Sequence, residues 1–137
     1  MPHLRTYKLF ISHAWDYHDE YDRLVKMLDN APLFQWSDYS VPVHDPFDSD
    51  SSRELKRKIK EQIRQCSVFI LLAGMWVKYH DWILFEIKTA NEYSKPILAV
   101  KPWGHQRIPE EAYTYADKIV GWNTNSIVSA IRELASR

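Results

Sequence analysis

The chain has 137 residues, 18 basic and 18 acidic side chains, six His, one Cys and three Gly, with no formal net charge. That length fits one domain over residues 1–137, large enough for a core without staples. The charge balance speaks against a nucleic-acid partner held by broad phosphate neutralisation, and one cysteine excludes both an internal disulfide framework and a multi-cysteine zinc site.

Tyr7-Lys8-Leu9-Phe10-Ile11-Ser12 is a short β-rich run. Tyr21, Leu24, Val25 and Leu28 follow at i, i+3, i+4, i+7, so the spacing predicts an amphipathic helix over residues 17–29. Phe34-Gln35-Trp36 and Val41-Pro42-Val43 suggest a second, interrupted strand, and Pro42 and Pro46 make residues 38–50 a loop. Ser51-Ser52-Arg53-Glu54 has the pattern of a capping box, with Leu55, Ile59 and Ile63 as the apolar stripe behind it. The basic residues between Arg53 and Arg64 form its solvated face.

Val68-Phe69-Ile70-Leu71-Leu72-Ala73 is a continuous apolar run, as expected of a central parallel strand covered on both faces. Residues 75–94 read as one helix with an irregular start or as two short pieces. Pro96–Val100 and Lys118–Trp122 are strands four and five, and Thr124 or Asn125 caps a last helix with Ile127, Ala130, Ile131 and Leu134 on its buried stripe. Apolar runs alternating with helical periodicity define an α/β domain. The expectation is a flavodoxin-like, doubly wound parallel sheet in order 2-1-3-4-5, with helices on both faces.

Ligands of such sheets gather beyond the carboxyl ends of the strands. There the sequence offers Ser12-His13-Ala14-Trp15, the 38–50 loop and Gly74-Met75-Trp76. The three scattered glycines exclude a GxGxxG dinucleotide turn and a GxxxxGK phosphate loop. His13, His18, Asp16 and Asp19 match no established zinc spacing, and Ser12, His13 and Asp45 lack the glycines of a nucleophile elbow. No metal or bound cofactor is expected.

The helix over residues 81–90 carries one anomaly. At about 100° per residue, Asp81, Lys88 and Glu92 share one arc, while Glu86 lies roughly opposite, among Trp82, Ala90 and Tyr93. A carboxylate on the aromatic side of a helix is desolvated, which raises its pKa and makes it chemically useful. The competing reading is a helix-surface Glu tilted into a groove or paired with a lysine.

These residues resemble the Toll/interleukin-1 receptor (TIR) domain superfamily, and more narrowly its short prokaryotic branch, which includes the stand-alone TIR proteins of Thoeris antiphage defence. The resemblance rests on Lys8-Leu9-Phe10-Ile11-Ser12-His13, the segment Phe34–Pro42 with His44-Asp45-Pro46, the strand Cys66–Leu72, and the Trp82-x-x-x-Glu86 pattern. It implies cleavage of the nicotinamide–ribose bond of NAD, here a substrate. The implied product is an ADP-ribose-type messenger in linear, cyclic or conjugated form. It implies Glu86 as the catalytic carboxylate with Trp82 as its aromatic companion, and Phe10, Ser12, His13, Trp15, Val41 and Asp45 as substrate contacts. The implied partners are a second copy of the chain on activation, a separate effector that reads the messenger, and a phage-derived trigger. The alternative within the family is a TIR-like adaptor without turnover, in which Glu86 is structural.

Met1-Pro2-His3-Leu4-Arg5 lacks a signal-peptide pattern and no apolar run reaches the roughly 18 residues of a membrane span, so a cytoplasmic protein without a membrane partner is expected. The aromatic fraction, 14 % with six Trp, exceeds the needs of so small a core, so some rings are expected to face a ligand or partner.

Overall fold

A computed structural model describes residues 5–12, 18–40, 49–72, 80–101 and 110–136. In chain order these form β1 (Thr6–Ser12), α1 (His18–Asn30), β2 (Gln35–Asp38), α2 (Ser49–Gln65), β3 (Val68–Leu72), α3 (His80–Glu92), β4 (Ile97–Val100), α4 (Glu110–Tyr115), β5 (Lys118–Val120) and α5 (Thr124–Ala135). The five strands make one parallel sheet in order β2-β1-β3-β4-β5, as the alternation of apolar runs and helices predicts. Helix α1 touches α5 and α2 touches α3, so each face of the sheet carries its own helical layer.

Covering both faces explains the uninterrupted apolar strands. All five residues of β3 and all four of β4 are buried. Phe10 and Phe69 are cross-strand partners, and their rings stack with centroids 5.5 Å apart. The helices close over this sheet with Leu24 and Leu28 from α1, Ile59 and Ile63 from α2, and Ile127, Ala130, Ile131 and Leu134 from α5. Cys66, just after α2, is buried as well, and desolvation pushes its thiol up to about 12. It is a small core residue.

Several element ends differ from the expectation. Helix α2 already runs from Ser49, so Ser51 lies inside its first turn. Four short polar residues in a row, Ser49-Asp50-Ser51-Ser52, each suit a helix start, and only tertiary context selects among them. Helix α5 is capped by neither Thr124 nor Asn125. The cap is Asn123, whose extended backbone (φ −149°) lets Oδ1 accept from the Ser126 N–H at 3.0 Å.

Helix α4 was not expected, because six residues are too few to display a period. The second strand is Gln35–Asp38, a half-exposed edge whose apolar anchor, Phe34, precedes it; residues 41–43 lie outside the described set. Strand five stops at Val120, before Gly121.

Helix α3 ends in a Schellman arrangement. Ser94 takes the left-handed conformation (φ 57°), its N–H donates to Asn91 C=O at 3.0 Å, and the Lys95 N–H donates to Ala90 C=O at 2.9 Å. This turn sends the chain directly through Pro96 into β4 and fixes where α3 lies over the sheet.

Candidate active site

Helix α3 buries Ile83, Ile87 and Ala90 at i, i+4, i+7, and burial of each Ile side chain is worth about 1.5–3 kcal/mol. The same face buries two polar side chains, Glu86 and Thr89. Thr89 is satisfied within the helix, its hydroxyl donating to Phe85 C=O at 2.8 Å. Glu86 is not. Its carboxyl reaches across to the sheet, where the Ser12 hydroxyl donates to Oε1 at 2.8 Å.

Both partners are inaccessible, Ser12 at 0 % and Glu86 at 1 % relative exposure. Glu86 Oε2 is buried and has no hydrogen-bond partner among the described residues. Burial pushes the carboxyl up to about 8, and the Ser12 hydroxyl only partly opposes this. Burying a carboxylate with one oxygen unpartnered among the described residues is costly, and this favours the protonated acid. On the opposite arc, Lys88 and Glu92 are exposed.

Ser12 is the last residue of β1, and β1 and β3 are the central pair where the order of winding reverses. The Ser12–Glu86 pair therefore stands at the carboxyl end of the sheet, at its topological switch point. Of the other sequence-derived contacts, His13, Trp15, Val41 and Asp45 lie outside the described residues, as does the side chain of Trp82. Phe10 is described, and its ring is wholly buried against Phe69. The structure places that side chain in the core beneath the site.

Sequence reasoning missed a further group at this end of the sheet. Tyr21 of α1 donates its hydroxyl to Asp38 Oδ2, Asp38 Oδ1 accepts from the Ser40 N–H at 2.8 Å, and Ser40 Oγ accepts from the Ile11 N–H at 2.8 Å. Burial and the Asp38 carboxylate raise the Tyr21 phenol well above its ordinary range, which keeps it a donor. Glu20, also on α1, is half-buried and raised by desolvation, with Arg23 acting the other way. No local spacing marks Ser40; its role appears only once β1 and β2 are laid side by side.

A parallel 2-1-3-4-5 sheet with a buried carboxyl at its switch point defines a doubly wound α/β domain of the flavodoxin-like type. The family model described as Thoeris protein ThsB, TIR-like domain, matches residues 10–107. The chain belongs to that family. In three dimensions it is similar to the CMP N-glycosidase BcmB of Clostridium botulinum, with a TM-score of 0.57 and 14 % identity over 91 % of this chain and 98 % of that one. At that identity the likeness is one of fold. No curated protein matches the chain by sequence. Among the described residues, no helix is long and apolar enough to cross a membrane.

Proposed function

We propose that the chain cleaves the bond between ribose C1′ and a base nitrogen, with NAD as substrate and Glu86 as the group that faces the ribose. The observation that carries this reading is the Glu86 carboxyl, buried at the switch point with Oε1 on Ser12 and Oε2 unpartnered among the described residues. A TIR-like family and an N-glycosidase of similar fold both support it.

In this reaction the C1′–N bond breaks and its electron pair stays on the nicotinamide nitrogen, cancelling the pyridinium charge. Positive charge develops at C1′ and the ring oxygen, as in glycoside cleavage. A carboxylate in a water-poor site stabilises that charge where it forms. A nucleophile then adds to C1′ and loses its proton. Water gives ADP-ribose, a hydroxyl or ring nitrogen of the same nucleotide gives a cyclic product, and another nucleophile gives a conjugate. Because the leaving group departs from a cation, no strong acid is needed. The product serves as a messenger in cytoplasmic antiphage defence: a phage-derived trigger activates the protein, and a separate effector reads the nucleotide.

The elevated carboxyl favours a second reading. A neutral acid at pH 7 can protonate a neutral leaving base, which is what a nucleoside monophosphate such as CMP would require. The two readings have opposite pH dependences. If the anion works on NAD, kcat/KM rises with pH through the ionisation near 8. If the acid works on CMP, cytosine release falls over the same range. Parallel assays of NAD loss and cytosine release from pH 6 to 9 test both. NAD loss that climbs supports the first, CMP cleavage that declines without NAD loss replaces it by the second, and neither activity at any pH leaves the adaptor.

A further inference from the structure

Strand β1 outlasts its neighbour β2. Their register pairs Leu9 with Asp38, the last residue of β2, yet β1 continues to Ser12. The Tyr39 N–H still donates to Leu9 C=O at 2.8 Å, and the next contact on this edge among the described residues comes from a side chain. The Ile11 N–H donates to Ser40 Oγ at 2.8 Å. Ser40 thus supplies with its hydroxyl what a carbonyl of a longer β2 would supply.

The acceptor is itself held in place. Asp38 closes a local turn by accepting from the Ser40 N–H, and Tyr21 of α1 fixes the other oxygen of that carboxylate. On its far edge, β1 is set by β3, with Ile11 opposite Ile70 and Ser12 opposite Leu71. Ile11, the residue before Ser12, is therefore held on both sides, and the Ser40 hydroxyl is one of its ties on the β2 side. Directly beyond it, Ser12 makes the 2.8 Å bond to Glu86 between two buried groups.

We infer that Ser40 is a positioning residue for the Glu86 carboxyl, acting through the Ile11 backbone and the Ser12 hydroxyl; its effect on turnover rests on the glycosidic reading above. Loss of the Ser40 hydroxyl removes an acceptor from β1, loosens the peptide before Ser12 and lengthens the Ser12–Glu86 bond. Misplacement of a reacting group by 1 Å can cost about 10²-fold in rate, so a smaller shift should cost about ten-fold.

The direct test is a carbon-13 NMR titration of the Glu86 carboxyl, assigned by its disappearance in Glu86→Gln. Among the described residues, burial and Ser12 alone set this group, with no charged side chain from the sheet, α2 or its own helix contributing. Ser12→Ala should move its midpoint upward, because a bond that favours the ion is lost. Ser40→Ala should move it the same way, and Ser40→Thr should restore it. Ile127→Val, which weakens the core under α5, should leave it unchanged.

In turnover, Ser40→Ala should lower kcat about ten-fold with KM within about two-fold. Should that variant not fold, Ser40→Cys, which keeps the volume but accepts weakly, takes its place. A wild-type midpoint in Ser40→Ala beside a shifted one in Ser12→Ala overturns the inference. A shifted midpoint in a protein that cleaves neither NAD nor CMP upholds the positioning and removes the glycosidic reading instead.

Discussion

In the unfolded chain Glu86 ionises near the ordinary 4.5, and in the folded protein at about 8. Between these values the folded state binds one proton more than the unfolded state, so stability falls as pH rises across that window. The side chain is thus a standing cost above pH 8, kept at a position where an apolar residue would pack well. Glu86→Gln removes the titration while retaining an oxygen to accept from Ser12. The gap in Tm between Glu86→Gln and wild type should widen from pH 5 to pH 8 and level off above. A gap independent of pH would contradict the buried, proton-holding carboxyl. The helical period made this residue visible in the sequence, since it stands opposite Lys88 and Glu92. What the spacing does not contain is its partner, because Ser12 lies 74 positions away and only the fold brings the two hydrogen-bonding groups together.

At the scale of elements, the sequence is most legible where burial is two-sided or strictly periodic. Strands β3 and β4 are runs of apolar residues, and the stripes of α1, α2 and α5 fall where 3.6-residue spacing puts them. Element ends are less legible, because neighbouring polar residues compete for one cap. Asn123, Thr124 and Asn125 are near-equivalent in propensity, and only the extended backbone at Asn123 aims its carbonyl at the Ser126 N–H. Asn123→Ala should therefore cost about 1 kcal/mol by chemical denaturation. Asn125→Ala should stay within about 0.5 kcal/mol. Equal losses, or a larger one at Asn125, would place the cap elsewhere.

For the whole molecule, right-handed crossovers and the alternation of apolar runs with helices give a doubly wound parallel sheet, and its observed 2-1-3-4-5 order puts the switch point between β1 and β3, where ligands gather. Among the described residues most aromatic rings pack in or against the core, while Tyr93 and Tyr113 are exposed. We propose that activation brings two copies together and that the isolated monomer turns over weakly. Light scattering recorded alongside NAD consumption tests this, and full activity from a strictly monomeric sample would contradict it.

Glu86→Gln keeps the volume of the side chain but removes the anion that would face the ribose cation, whereas Glu92→Gln makes the same change on the exposed arc of α3. Above the Glu86 ionisation, at pH 9, NAD consumption by the activated protein should fall by on the order of 10²–10³ in the first variant and persist in the second. Equal consumption by both variants, under conditions where wild type clearly consumes NAD, would remove Glu86 from the mechanism.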